Sequence, residues 1–204
     1  MTTQLRRPMQ QQLPRVVRIA SGLTAIALLV FAARLPIWWA RLRAPQYPDG
    51  LGLTVYGNRV EGDLTEINEL FHYIGMPPFN FNVANMPEIR LWLLVILFGM
   101  VAAVQAVVTR RRWLRRLACT GVWLIPIGAL ADVEFRLWQL GHSLDATSAI
   151  RVDPFTPRVV GPTSVMNFTM WAYPGSALVL IALAAALVTL APFVARRLTQ
   201  RTAP

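Results

Sequence analysis

The sequence predicts an all-α integral membrane protein, a four-transmembrane-helix bundle carrying a small extracytoplasmic cap. Three observations point there. Of the 204 residues, 55% are hydrophobic and 15% charged, with a mean hydropathy of +0.45, too apolar for a soluble domain of this length. Four long apolar runs alternate with more polar segments. The third observation is charge placement: the chain has no lysine, and all ten acids lie between the first and second runs or in and after the third.

A helix rises ~1.5 Å per residue and a hydrocarbon core is ~30 Å thick, so roughly 20 apolar residues suffice to cross it. After an arginine-rich tail (1–18) with Arg6, Arg7, Arg15 and Arg18, the first span is expected at 19–40. It is interrupted by Arg34 and Pro36 and ends on Trp38-Trp39, which reads as an interfacial aromatic anchor. A cleaved signal peptide competes with this reading, because arginines precede an apolar stretch at 21–33. No A-x-A site follows, and Pro45 stands directly after "ARLRA", so a retained anchor is expected. The second span covers 89–109 around "LWLLVILFGMVAAVQAVV", followed by a basic loop at 110–116. The third covers 117–140, where "LACTGVWLIPIGALA" continues through "DVEFRLWQL". The fourth covers 173–195, leaving a tail at 196–204.

Twelve of the twenty arginines sit in the two tails and the basic loop, with no acid among them. By the positive-inside rule both termini face the cytoplasm of a bacterial inner membrane, and 41–88 and 141–172 are extracytoplasmic. The net charge of +10 is then a topology signal, and nucleic acid is not an expected partner. Cys119 is the sole cysteine, so no intrachain disulfide staples the outer segments, and its place inside a span suits packing.

The first outer segment opens with "LGLTVYGNRVEG", whose alternation around Gly57-Asn58 predicts a short hairpin. "GDLTEINELFHYIGMPPF" then predicts an amphipathic helix over 64–74. Asp63 and Glu66 have the spacing of a capping box, and acids in the first turn suit the helix dipole. Leu64, Ile67, Leu70, Phe71 and Ile74 form one stripe. Gly75 terminates the helix, and Pro77-Pro78 prevents its resumption. His72 falls on the polar face with Asn68 and Glu69, and Met76 follows four residues later. A carboxylate near an imidazole and a thioether nearby are features of a copper site. The same residues fit a helix end where His72 meets backbone groups and Met76 packs.

In the second outer segment Gly141 is expected to close the third helix, leaving His142 at its mouth with Asp145 nearby. Prolines 154, 157 and 162 predict an extended strap over 149–163, which should pack against the apolar stripe of helix 64–74. Met166 and Met170, four apart, read as helical packing residues. Asp132, Glu134 and Arg136 mark the outer end of the third span, with Asp132 and Arg136 spaced to neutralise one another. No catalytic residue is assigned: the sequence carries no Walker loop, CxxCH motif, Cys-x-x-Cys pair or nucleophile triad, and the protein is not expected to be an enzyme.

The runs Gly62, Asp63, Ile67, Asn68 and His72 to Met76, and Gly141, His142, Leu144 and Asp145, resemble a family of small four-span bacterial membrane proteins. Members are encoded beside the nitrous oxide reductase of the atypical, Sec-exported clade. The resemblance covers both outer segments; Phe71 departs from it, standing where the family has a small polar residue. What it implies is a context, a periplasmic copper enzyme that must be metallated and supplied with electrons. The expected function is that of an accessory or assembly protein of that enzyme, aiding copper delivery or docking, with His72, Met76 and His142 as the metal-binding candidates. The alternatives are a membrane anchor subunit relaying electrons from quinol or a cytochrome, and a purely structural partner.

Overall fold

The computed structural model describes residues 6–78, 87–109, 111–145 and 147–201. The end of the first expected outer segment (79–86) and Arg110 of the basic loop lie outside the described residues. The element order is α1 (Arg6–Ala32), β1 (Pro36–Ala44), β2 (Tyr47–Tyr56), β3 (Val60–Gly62), α2 (Leu64–Tyr73), α3 (Pro87–Val108), α4 (Arg112–His142), β4 (Gly161–Val165), β5 (Phe168–Pro174) and α5 (Ser176–Arg201). The chain divides into two units.

In the first unit, Met1–Ala32, Leu94–Pro126 and Leu180–Pro204, the described elements are all helices. Its helices meet over small side chains, with Ala102, Ala103, Ala106, Ala184, Ala185 and Ala191 all buried. Lipid tails are as apolar as leucine, so close backbone approach and dispersion carry helix association in a bilayer. Polar contacts add to this: Trp123 Nε1 donates to Thr189 Oγ1 at 3.3 Å, and the Arg18 guanidinium donates to the Val107 and Thr109 carbonyls at the C-terminal end of α3, where a cation also suits the dipole. Elsewhere large apolar side chains such as Leu97, Phe98, Val101, Leu190 and Phe193 stand exposed. Such exposure is untenable in water and ordinary in lipid. Four helical stretches, Arg15–Ala32, Leu91–Val108, Arg112–His142 and Ser176–Arg197, are long and apolar enough to cross a membrane. The chain fits a multi-pass membrane protein.

The second unit, Ala33–Leu93 and Ile127–Val179, corrects the expected fold class. It contains a five-stranded antiparallel sheet in the order β3-β2-β1-β5-β4, so the protein is not an all-α bundle with a minor cap. The expected hairpin exists as β2–β3, closed by a Tyr56 N–H donated to Arg59 O at 2.8 Å. Three further strands, β1, β4 and β5, differ from the sequence expectation. The first helix stops at Ala32, and 36–40 belong to β1. Trp38 is therefore no interfacial anchor; it is 1% exposed, and its indole donates to Val159 O at 2.7 Å. The fourth helix begins at Ser176, because Tyr173 and Pro174 end β5. Met166 and Met170 share no helix: Met166 holds the β4–β5 turn at φ 53, and Met170 pairs with Thr163 and Leu42 inside the sheet.

The reason is a period of two. In "PIWWARLRA" Trp38, Ala40, Leu42 and Ala44 are buried while Trp39, Arg41 and Arg43 are exposed. Successive strand side chains point to opposite faces, and this alternation gives β1 one core face. Along that face lie Leu51 and Leu53 of β2 and Ala172 of β5, all buried. α2 turns Ile67, Leu70 and Phe71 inward, each such side chain adding about 1.5–3 kcal/mol of apolar burial.

Candidate functional site

The site grows from the C-terminal end of α2. Helices leave their last carbonyls without intrahelical donors, and here the segment that follows α4 supplies them. Asp145 N–H donates to Gly75 O at 2.7 Å and Ile150 N–H to Tyr73 O at 3.1 Å, while Met76 N–H closes the helix onto Phe71 O at 2.9 Å. Gly75 adopts φ +74, the left-handed conformation of a C′ residue that glycine reaches without strain. The expected packing of helix 64–74 against the later strap is thus present, and it is hydrogen-bonded as well as apolar.

The start of α2 differs from expectation. Asp63 makes no side-chain cap; its Oδ2 accepts from Gly52 N–H at 2.7 Å, while its own N–H donates to Gly52 O at 3.0 Å. The carboxylate thus continues the β2–β3 ladder in place of a backbone carbonyl. Asp63→Ala is expected to cost about 1 kcal/mol, the usual net value of one such bond, and to speed exchange of the Gly52 amide, which hydrogen-exchange mass spectrometry reads. Glu66 is half-buried, Glu69 exposed and Asn68 half-buried.

Below the helix end lies an apolar cavity of about 60 Å³ between the inner sheet face, α2, the end of α4 and the strap, with Trp38, Phe71, Met76, Leu137, Phe155 and Met170 among its lining residues. Met76 is 6% exposed and faces this cavity. His72 is exposed on the opposite side of α2. His142 lies in the last turn of α4, which runs past Gly141. It is exposed, stacks on Trp138 with ring centroids 4.8 Å apart, and its Nδ1 donates to Trp138 O at 2.9 Å. The three metal candidates therefore have separate surroundings, and among the described residues no group of three or more His, Cys, Asp or Glu side chains is arranged to hold a metal.

Asp145 is held against Gly75, three residues beyond His72. Its Oδ1 accepts from Thr147 N–H at 2.8 Å and Thr147 Oγ1 at 2.7 Å. These bonds, the backbone one foremost, hold its carboxyl below the ordinary range, with a smaller electrostatic contribution from His72. A depressed folded-state value means that the turn is fully stabilised above the ordinary carboxylate value of about 3.9 and loses that contribution as pH falls through the lower folded value. The Thr147 amide resonance is expected to hold steady on acidification until below that ordinary value, and Asp145→Asn to abolish the late transition.

Asp132 and Arg136 pair at 3.1 Å, one turn apart on α4, as their spacing predicts; Glu134 is exposed. No family model and no curated protein matches the chain.

Proposed function

We propose that this is a non-catalytic accessory protein of a bacterial inner-membrane enzyme system, that of the periplasmic nitrous oxide reductase, and that it acts by docking through the polar face of α2. One observation carries the reading. The two runs that carry the resemblance, separated by more than sixty residues, converge: Asp145 N–H bonds Gly75 O, and Asp145 lies within electrostatic reach of His72. Glu69, His72, Tyr73 and Asp145 are all exposed there, on a backbone fixed from both sides. A rigid, exposed, mixed-charge surface is suited to recognising a protein partner; it lacks the enclosure that a reactive site uses.

The test is co-purification from the native membrane. Glu69→Lys with Tyr73→Ala, or His72→Ala, is expected to release the partner while leaving the protein inserted and folded, since these side chains are exposed. Undiminished co-purification with both variants would sink the docking reading. Copper hand-off is a narrower form of the same role, and it requires Met76 to leave the cavity before His72, Met76 and His142 can share an ion. It predicts copper in the purified protein that falls with His72→Ala and with His142→Ala. The orientation follows from the arginine asymmetry: reporter fusions after Thr109 and at the C-terminus are expected to read cytoplasmic, and a fusion at Ser148 periplasmic.

A further inference from the structure

The outer face of the sheet carries side chains that the docking role does not use. Directly opposed residues of antiparallel strands share a face, and the register sets Trp39, Arg41 and Arg43 of β1 beside Tyr173, Trp171 and Thr169 of β5, in that order. Trp39 and Tyr173 stack with centroids 4.7 Å apart. Trp39, Trp171 and Tyr173 are 39%, 41% and 37% exposed, against 1% for Ala40 and 0% for Ala172 on the inner face. Gly50 makes room for the two arginines: at φ +80, a Cβ there would sit 3.0 Å from Arg41 Nε and 3.1 Å from Arg43 Cγ. The two stems thus pass over the same stretch of strand. Arg41 donates to the Asp49 carbonyl at 2.6 Å, a neutral acceptor. Among the described residues neither arginine pairs with a carboxylate, and the acid on this face, Glu61, is taken by Arg59 at 2.5 Å.

Position along the strands names the occupant. Tyr173 lies just before α5, and Gly175 N–H donates to Ile37 O at 2.7 Å, so the Trp39–Tyr173 end of the sheet is the end from which this apolar helix departs. Along β1 at ~3.3 Å per residue, Arg41 follows about 7 Å beyond and Arg43 about 13 Å beyond. Rings at the end of the sheet joined to the apolar helix, and guanidinium groups further along the strands, match the order of a membrane interface, where Trp and Tyr settle at the hydrocarbon boundary and phosphates lie beyond. An acidic protein surface would impose no such gradient. We propose that this face binds anionic phospholipid headgroups, with the rings in the interfacial layer and Arg41 and Arg43 on the phosphates.

The test uses the full-length protein in nanodiscs of phosphatidylcholine mixed with phosphatidylglycerol, with bound lipid read by native mass spectrometry. The wild type is expected to retain phosphatidylglycerol selectively. Arg41→Gln with Arg43→Gln should reduce that retention on the order of tenfold, given the value of each basic charge at an anionic surface. Arg43→Gln alone, whose side chain makes no hydrogen bond among the described residues, should show part of the loss without touching the fold. The Arg41→Lys, Arg43→Lys pair should restore most of it, and Trp39→Ala with Tyr173→Ala should lower it. Equal retention in the wild type and the double glutamine variant would overturn the proposal. So would displacement of the lipid by inorganic phosphate, which would mark a small-anion site. An acidic protein lost from the glutamine variant while phosphatidylglycerol retention stays constant would overturn it too.

Discussion

Trp38→Ala is expected to unfold the sheet-containing unit more severely than any other single truncation on β1. Trp38 is 1% exposed, lines the apolar cavity, and holds Val159 of the strap through its indole N–H at 2.7 Å. Removing it deletes a large buried ring, enlarges an existing void and leaves the Val159 carbonyl without its donor. Losses of this kind cost about 3–5 kcal/mol. The neighbouring Trp39→Ala removes a ring that is 39% exposed, and its expected cost is limited to the stacking with Tyr173, about 0.5–1.5 kcal/mol. Thermal unfolding in detergent, followed by proteolysis of the strap, separates the two variants. Equal sensitivity would refute the assignment of Trp38 to the core.

The second large effect is expected from Gly141→Ala. A Cβ at Gly141 would lie 1.9 Å from Phe155 O and 3.0 Å from its carbonyl carbon. These are backbone atoms, so no rotamer change relieves the clash. Phe155 N–H also donates to Gly141 O at 3.1 Å, and separating the two segments breaks that bond. Phe155 and Pro157 line the cavity with α2, so displacing the strap opens the core beneath the surface proposed for docking. The expected destabilisation lies at or above the upper end of the about 1–3 kcal/mol typical of overpacking. Gly128→Ala in the same helix is the control, because a Cβ there meets nothing within 4 Å and alanine is the better helix former by about 1 kcal/mol. Partner co-purification should fall with Gly141→Ala and persist with Gly128→Ala. If both variants behave like wild type, the strap does not hold the surface proposed for docking in place.

Much of the candidate site was legible in the sequence because its signals are local. The stripe Ile67, Leu70, Phe71 fixed the inward face of α2, and Gly75 before Pro77-Pro78 fixed its end, since each depends only on neighbours along the chain. The Asp132–Arg136 pair follows from one helical turn in the same way. The four membrane-crossing stretches are legible for a related reason: hydrocarbon thickness sets a length, and length can be counted along one segment.

What only the tertiary structure decided involves partners distant in the chain. β1 and β5 pair across more than a hundred residues, and neither stands alone as a convincing strand: β1 continues an apolar run, and β5 abuts another. The alternation that marks β1 was present in "WWARLRA", but Trp38-Trp39 beside Pro36 also matches a membrane anchor, and only the pairing register tells a buried tryptophan from its exposed neighbour. Asp63 had every local qualification for an N-cap, yet Gly52, eleven residues earlier, offered its carboxylate a competing donor. Met76 has the spacing of a copper ligand to His72, but the cavity formed by the sheet, α4 and the strap draws it inward while His72 stays on the surface. Hydropathy and helical period along one segment determine which residues can be buried. Which of them meet is decided by strand pairing and by the competition of distant groups for the same donors, and neither is written in any one segment.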